Sequence, residues 1–216
     1  PFTGGKPAKL EKIKTFLNHT GYKLLKLEQK VYKLNSLLKI DFNAIAKGYG
    51  VDKVFQFIKD QGLDNIFVEI GGEVRAQGIS SRGNTWTIGV EDPTLTKQSK
   101  TPFAAVIELD GNSMATSGNY RNYIEYNGEI LGHTINPQIG YPINSNVLSV
   151  TTFAQSCMVA DAWATALMTM EYRKGVEYLK KVDGVSALWV LNDNGIRKIK
   201  RFGEIKILNS IYTTTD

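Results

Sequence analysis

Apolar positions recur with two different periods along the chain, one typical of helices and one typical of strands. From Leu10 to Leu17 the apolar residues return every three or four positions, so the pattern predicts a helix over residues 7–20. Pro7 suits the first turn of that helix, and Gly21 suits its end. The same spacing predicts further helices over residues 43–61, 155–170 and 172–182.

The second predicted helix has clear end signals and an unusual interior. Asn43 is its candidate N-cap, and Gly62 is its candidate stop. Inside it, Gly48 and Gly50 each cost about 1 kcal/mol relative to Ala. These glycines indicate that another part of the protein, or a ligand, comes close to the helix backbone.

Shorter segments rich in β-branched and aromatic residues lie between turn signals and predict strands. The predicted strands are residues 22–28, 30–34, 37–40, 65–70, 73–79, 85–90, 103–109, 120–126, 129–134, 147–153, 186–191 and 195–201. Asn127 and Gly128 separate two of them, as in a type I′ hairpin. Strands and helices are interspersed without strict alternation, which favours the α+β class with mixed, largely antiparallel sheets packed against helices. Residues 1–216 are interpreted as a single domain.

Composition narrows the class of protein without changing this picture. Of the 216 residues, 42% are hydrophobic and 22% are charged, a balance that excludes wholesale disorder. No apolar run reaches the roughly 18 residues that a membrane-spanning helix needs. Cys157 is the only cysteine, which excludes a disulfide framework and argues against a cysteine-based zinc site.

The net charge of +5 is concentrated near the start of the chain. Residues 1–53 hold 11 basic and 4 acidic side chains, whereas residues 54–216 hold 15 basic and 17 acidic ones. Lysines at surface spacing indicate either a solvated face or an anion-attracting surface. No familiar nucleic-acid-binding motif is present, so we expect no nucleic-acid partner.

Two glycine-containing segments are candidates for ligand contact. Residues 40–52 read as a strand end followed by a helix start with Lys47 in the first turn, which suits either an anion such as phosphate or simply tight packing. Gly71 and Gly72 follow a predicted strand and precede Glu73. This pair indicates either a ligand close to the backbone or an ordinary bulge.

A third candidate region combines residues 114–120 with residues 133–140. His133 ends a hairpin strand beside a loop containing Pro and Gly, where both a catalytic and a structural role are open. His19 lies near a helix end and is interpreted as a capping or surface residue. Ser117 lacks the Gly-x-Ser-x-Gly setting of a serine hydrolase nucleophile, which argues against that class.

The fourth candidate lies on the third predicted helix. Asp161 and Thr165 are four residues apart, so their oxygens project from one helix face. A carboxylate and a hydroxyl together suit a hard cation such as Mg²⁺. The alternative is an Asp near the helix start and a Thr that bonds back to a helix carbonyl.

Taken together, these segments resemble the ApbE family, the FAD:protein FMN transferases. The matching stretches are IDFNAIAKGYGVD at 40–52, EIGGEVRAQG at 69–78, WTIGVEDP at 86–93, ATSGNY at 115–120, HTINPQIGYP at 133–142 and LSVTTFAQSCMVADAWATAL at 148–167. They occur in the family's order and with its spacing. The resemblance implies a T-fold-like α+β architecture.

The resemblance also implies an activity. Members of the family cleave FAD at its diphosphate with Mg²⁺, attach FMN through a phosphoester to a Ser or Thr of an acceptor flavoprotein, such as a respiratory complex subunit, and release AMP. Two alternatives remain open, namely an FAD pyrophosphatase that yields FMN and AMP, and a non-catalytic FAD-binding module. The family implies a periplasmic or other extracytoplasmic location, with membrane attachment only through an N-terminal lipid anchor.

The resemblance assigns roles to individual residues. His133 matches the histidine proposed as the base that deprotonates the acceptor hydroxyl. The metal site would be formed by Asp161, Thr165 and the backbone carbonyl of Ala44. The residues that match FAD-lining motifs are Lys47, Gly71, Gly72, Glu73, Thr116, Ser117 and Gly118.

The chain departs from the family pattern in three respects. Asn136 stands where Asp is usual, and Glu69 stands where Asn is frequent. The family's N-terminal segment, which supplies a strand and residues that enclose the flavin, has no counterpart here. The sequence also begins at Pro1 and not at a Met. We therefore expect that the domain is N-terminally truncated.

Overall fold

The computed structural model describes residues 2–3, 6–94, 102–118, 123–126, 129–132, 134–142 and 145–215. The helices are α1 (Leu10–Leu17), α2 (Ala46–Asp60), α3 (Cys157–Met168) and α4 (Tyr172–Leu179), and a 3₁₀ turn covers Tyr22–Leu24. The strands are β1 (Phe2–Thr3), β2 (Lys6–Pro7), β3 (Leu25–Leu27), β4 (Val31–Lys33), β5 (Ile66–Ile70), β6 (Glu73–Gln77), β7 (Trp86–Glu91), β8 (Phe103–Leu109), β9 (Ser113–Gly118), β10 (Tyr123–Tyr126), β11 (Glu129–Gly132), β12 (Ile135–Asn136), β13 (Tyr141–Pro142), β14 (Val147–Ala154), β15 (Val185–Asp193), β16 (Ile196–Phe202), β17 (Ile207–Ser210) and β18 (Thr213–Thr215).

Two larger sheets form the framework. A seven-stranded sheet has the order β18-β16-β15-β14-β9-β6-β5, in which all neighbours are antiparallel except the parallel pair β16 and β18. A three-stranded antiparallel sheet has the order β17-β8-β7. The predicted α+β class with largely antiparallel sheets is confirmed.

The seven-stranded sheet is covered on both faces. Helices α3 and α4 cover one face, where Leu167 of α3 packs in a cluster with Trp189 of β15. The three-stranded sheet covers the other face, where Ile107 of β8 packs in a cluster with Leu188 of β15. Helix α2 packs beside α3 and over β5 through Phe55. The molecule therefore has a helical layer, a large sheet and a small sheet, and α2 lies where the helical layer reaches the β5 edge.

The structure corrects the start of the first predicted helix. Pro7 lies in β2, paired with Phe2 of β1, and not in the first helical turn. Because this pairing holds the backbone extended, α1 begins only at Leu10. Gly21 lies beyond the helix, with a φ of 132°, and precedes the 3₁₀ turn.

Asn43 does not cap α2 as predicted. Its backbone N–H and its side-chain amide both donate to the carboxylate of Asp41, at 2.7 and 3.2 Å. The N–H groups of Ile45 and Ala46 bond to the carbonyl of Phe42, so a turn precedes the helix. The helix consequently begins at Ala46.

Residues 37–40 do not form the predicted strand. The Lys33 ammonium donates to the Leu38 carbonyl at 2.9 Å, and the Asn35 side chain accepts the N–H of Leu37 at 2.9 Å. Side chains thus satisfy backbone groups that a β-ladder would otherwise use.

Strand β9 was not predicted, although it lies in the middle of the large sheet. Its sequence, Ser-Met-Ala-Thr-Ser-Gly, lacks the alternation that marks a strand and has only one β-branched residue, Thr116. It is extended because β14 and β6 pair with it on either side. The predicted hairpin is present as β10 and β11, in which Tyr126 is paired with Glu129, while its turn at Asn127 and Gly128 lies outside the described residues.

Candidate functional site

An open cleft of about 620 Å³ lies between the first turn of α2, the β5–β6 turn, the second half of β9 and the inner face of α3. It is lined by every sequence-predicted site residue that the structure describes, namely Ala44, Lys47, Gly71, Gly72, Glu73, Thr116, Ser117, Gly118, Asp161 and Thr165. His133 lies outside the described residues, so its place relative to the cleft stays a prediction. The fold therefore brings together segments that are far apart in the sequence.

Helices α2 and α3 meet at Gly48. The Gly48 N–H, which belongs to the first turn of α2 and has no partner within the helix, donates to Oδ2 of Asp161 at 3.0 Å. A Cβ at position 48 would lie 2.4 Å from the carbonyl oxygen of Cys157. The close approach predicted from this glycine is thus a helix–helix contact. Gly50 faces only Ile70, at an ordinary distance of 3.5 Å.

Gly48→Ala is expected to lower the free energy of unfolding by about 1–3 kcal/mol, because overpacking against rigid backbone outweighs the gain of about 1 kcal/mol in helix propensity. Gly50→Ala is the matched control, since it makes the same change two residues further along the helix with room for the methyl group. We expect the control to be neutral or slightly stabilising. Urea unfolding of both variants checks this, and equal effects would contradict the steric account.

Lys47 and Glu73, which both line the cleft, form an ion pair. The Lys47 ammonium lies 2.6 Å from Oε1 of Glu73 and 3.5 Å from the carbonyl oxygen of Gly71. Glu73 is only 2% exposed, whereas the Lys47 side chain is about half exposed at 47%. The second carboxylate oxygen, Oε2, is buried and has no hydrogen-bond partner among the described residues. The buried Glu73 carboxylate thus holds the Lys47 ammonium, while the exposed part of the lysine side chain faces the cleft.

The β5–β6 turn needs its two glycines. Gly71 and Gly72 have φ values of 62° and 100°, which residues with a Cβ rarely adopt. The side chain of Glu69 accepts the N–H of Gly72 at 2.8 Å and so fixes the turn. Glu69, which departs from the family pattern, therefore has a local structural role in this chain.

Two carboxyl groups of the cleft, those of Glu73 and Asp161, have pKa values above their ordinary range. Burial raises the pKa of Glu73, and the neighbouring Lys47 only partly offsets this effect. Burial likewise raises the pKa of Asp161, opposed by the Gly48 N–H and by Lys47. An added cation near Asp161 would be favoured, because it would compensate a buried negative charge.

Glu73→Gln tests this electrostatic picture through the pH dependence of stability. Because folding raises the pKa of Glu73, the stability that the carboxyl contributes is present below its ordinary pKa of 4.5 and is lost as the pH rises through the raised pKa. The free energy of unfolding of Glu73→Gln should therefore rise relative to wild type between acid and neutral pH. Urea unfolding across that range measures it, with the exposed Glu11→Gln as control. A difference between Glu73→Gln and wild type that does not change with pH would contradict the account.

Hydroxyl groups of β9 and α3 also line the cleft. The Ser117 and Thr165 hydroxyl oxygens are 3.2 Å apart, and Thr116 pairs with Thr151 of β14 at 2.8 Å. Within the described part of the chain, Thr165 therefore bonds across to β9 and not back to its own helix. The role of Thr165 as a ligand of a cation stays a prediction.

The cleft offers oxygen donors for a cation. The residues of the cleft that carry such oxygens are Asp161, Thr165, Ser117 and Ala44, of which Ala44 has only its backbone carbonyl to offer. The described residues contain no group of three or more His, Cys, Asp or Glu side chains able to hold a metal by themselves. A donor set with few carboxylates suits Mg²⁺, which keeps several waters and is commonly completed by substrate phosphates.

Sequence reasoning missed the role of Asp52. Its carboxylate accepts the N–H groups of Cys157 and Met158, both at 3.0 Å, and the hydroxyl of Ser156 at 2.7 Å. The guanidinium of Arg75 donates a fourth hydrogen bond to the Asp52 carboxylate, at 2.6 Å. The available signal was that α3 has no acidic residue in its first turn, which leaves a place for a stabilising carboxylate from another segment.

Among the described residues, no helix is both long enough and apolar enough to cross a membrane.

Comparison with known proteins relates this chain to one protein family. The sequence model of the ApbE family matches residues 2–189. The chain is 40% identical over 161 residues to a protein from Vibrio cholerae named FAD:protein FMN transferase. The aligned part covers 74% of this chain and 47% of that protein. It is 32% identical over 170 residues to the protein of the same name from Escherichia coli K12, and here the aligned part covers 79% of this chain and 48% of that protein.

Solved structures agree with the sequence matches. The flavinyl transferase ApbE from Pseudomonas stutzeri, in its apo form, has a TM-score of 0.78 and 34% identity, covering 91% of this chain and 59% of that one. The ApbE protein from Thermotoga maritima has a TM-score of 0.74 and 33% identity, covering 94% and 62%. The chain spans about half the length of the curated relatives it matches.

Proposed function

The chain belongs to the ApbE family, and on that basis we propose that it is a Mg²⁺-dependent FAD:protein FMN transferase. The observation that carries the proposal is the cleft itself, in which a half-exposed lysine, a helix amino terminus and a set of oxygen donors face one space. Such a site suits a diphosphate ester that is bound together with a hard cation.

The proposed reaction transfers a flavin phosphoryl group. A Ser or Thr hydroxyl of an acceptor protein attacks the phosphorus of the FMN half of FAD. A phosphoester bond forms there, the bond from that phosphorus to the bridging oxygen breaks, and AMP leaves with the electron pair. The hydroxyl proton passes to a base, for which the family resemblance supplies His133. Such reactions depend mainly on positioning and on neutralising charge.

The residues of the cleft suit these tasks. Lys47 is held by Glu73 at 2.6 Å, so its ammonium is fixed where an incoming diphosphate could meet it. Gly71 and Gly72 leave the backbone open to a ligand, since neither carries a side chain. Ser117 and Gly118 line the same cleft. These features support the assignment of FAD as the substrate.

The donor set fits a hard cation. We propose that Asp161, Thr165 and the carbonyl of Ala44 hold Mg²⁺. When bound, Mg²⁺ would act as a Lewis acid that neutralises charge on the diphosphate. The raised pKa of Asp161 supports this assignment, because the buried carboxylate has only partial compensation from the protein itself.

The family resemblance supports the remaining parts of the proposal. The acceptor would be a flavoprotein with a Ser/Thr flavinylation motif, such as a respiratory complex subunit. The site of action would be periplasmic or otherwise outside the cytoplasm, with an upstream lipid anchor as the membrane attachment. Hydrolysis of FAD to FMN and AMP is the alternative at the same cleft, with water in place of the acceptor hydroxyl.

The test is to incubate the purified chain with FAD and Mg²⁺, with and without an acceptor peptide, and to follow AMP release and peptide mass. AMP release together with a mass gain equal to FMN supports the transferase. AMP release without a mass gain supports the pyrophosphatase. Bound FAD without AMP release, also in a chain extended at its amino terminus, would contradict both and leave a binding module.

A further inference from the structure

Helices α2 and α3 cap each other's amino termini. On α2, Gly48 donates its N–H to Asp161 of α3 at 3.0 Å. On α3, Cys157 donates its N–H to Asp52 of α2, also at 3.0 Å. The two α2 residues are one helical turn apart, and so are the two α3 residues. Each helix therefore supplies the carboxylate that the start of the other needs.

Asp52 is the more fully engaged of the two carboxylates. Oδ2 accepts the Met158 N–H at 3.0 Å and the Ser156 hydroxyl at 2.7 Å, while Oδ1 accepts Cys157 and the Arg75 guanidinium. Burial alone would raise the pKa of Asp52, but these hydrogen bonds together lower it. The group is thus an ionised, fourfold-bonded anchor at the start of α3.

Asp52 does not line the cleft, but the helix that it anchors does. Asp161 lies one turn beyond Cys157 on α3, and Thr165 lies one turn further. Both line the cleft, and Oδ2 of Asp161 at the same time holds Gly48. The contact of Gly48 with the Cys157 carbonyl leaves little room for the two helices to slide. The position of the metal-binding oxygens thus depends on how the start of α3 is held.

We propose that Asp52 is a positioning residue for the divalent cation, because it fixes the start of α3 and thereby the place of Asp161 and Thr165. The inference rests on the proposed function in so far as it takes these two residues as metal ligands. Residues that hydrogen-bond directly to metal ligands commonly change metal affinity by about 10–100-fold when they are replaced. Asp52 acts less directly, through the backbone of α3, so the lower end of that range applies. A cap with a merely structural role would lower stability and leave the affinity of the folded protein unchanged.

The test variant is Asp52→Asn, which keeps the size of the side chain but removes its charge and one acceptor oxygen. The matched control is Asp60→Asn, which changes an exposed carboxylate on the same helix that bonds only to Gln56 among the described residues. Mn²⁺ serves as the probe, because it accepts the same oxygen ligands as Mg²⁺ and its free ion is visible by electron paramagnetic resonance. FAD binding in EDTA and urea unfolding are measured beside it.

For Asp52→Asn we expect the dissociation constant of Mn²⁺ to rise about tenfold, with metal-free FAD binding retained and the control unchanged. Wild-type Mn²⁺ affinity in folded Asp52→Asn would overturn the inference, whatever happens to stability. If Asp52→Asn does not fold, Arg75→Met removes one of the four Asp52 contacts without changing a residue of α3, and it should shift Mn²⁺ affinity in the same direction; no shift overturns the inference.

The outcome also separates this inference from the proposed function. A wild-type chain that binds Mn²⁺ and releases AMP, beside an Asp52→Asn variant with equal Mn²⁺ affinity, overturns the positioning role alone. A wild-type chain that neither binds Mn²⁺ nor releases AMP from FAD overturns both.

Discussion

Asp161→Ala is expected to remove cation-dependent AMP release from FAD. The Asp161 carboxylate is 4% exposed and is the charged member of the proposed donor set. A Lewis-acidic cation contributes several kcal/mol to such a reaction, and each 1.4 kcal/mol or so corresponds to about a factor of ten, so a loss of at least about a hundredfold follows. AMP release at saturating Mg²⁺, followed by chromatography, measures it.

A second variant separates loss of the cation from loss of the fold. Removing the carboxylate leaves the N–H of Gly48 without its acceptor, at a cost of about 1–3 kcal/mol in stability. Asp161→Asn keeps an acceptor oxygen for that N–H but weakens cation binding. We therefore expect it to lose cation-dependent AMP release while its free energy of unfolding stays close to that of wild type. The exposed Asp60→Ala controls for the loss of a carboxylate elsewhere. Wild-type rates in Asp161→Ala would rule out the metal assignment.

His133→Ala is expected to retain FAD binding and to slow FMN transfer by about 10²–10⁴-fold, the usual contribution of a general base. The reason is chemical: a serine or threonine hydroxyl attacks phosphorus well only as its proton is removed. Binding is measured by flavin fluorescence, and transfer by the mass of an acceptor peptide.

His19→Ala provides the control for the loss of a histidine. Its Nδ1 lies 2.6 Å from the side-chain nitrogen of Asn35, which belongs to the segment after β4, and His19 is not among the residues that line the cleft. We expect this variant to transfer FMN at the wild-type rate. Transfer by His133→Ala at that same rate would exclude His133 as the base.

Much of the cleft could be predicted from the sequence, because its residues lie in short segments with local signals. Gly71 and Gly72 marked a turn, and Asp161 and Thr165 marked one face of a helix. The spacing of these segments along the chain carried the family resemblance, and the structure places them around one space. His133 and its role stay predictions, since that residue lies outside the described residues.

Contacts between distant segments could not be predicted in the same way. The pairing of Lys47 with Glu73 depends on how α2 lies over the β5–β6 turn, which no local pattern specifies. Strand β9 has no strand signal of its own and is extended because of its neighbours. Pro7 and Asn43 were misassigned for the related reason that local preference lost to strand pairing and to the Asp41 side chain.

The reciprocal caps of α2 and α3 have a consequence for how the protein opens. Neither helix start is complete without the other, because the amides of Gly48 and Cys157 find their acceptors across the interface. A fluctuation that frays one helix therefore uncaps the other, and the two should open as one cooperative unit. Local unfolding of the helices and loss of the cleft's geometry are then a single event. A bound ligand would therefore slow the hydrogen exchange of the backbone amides in both helices together.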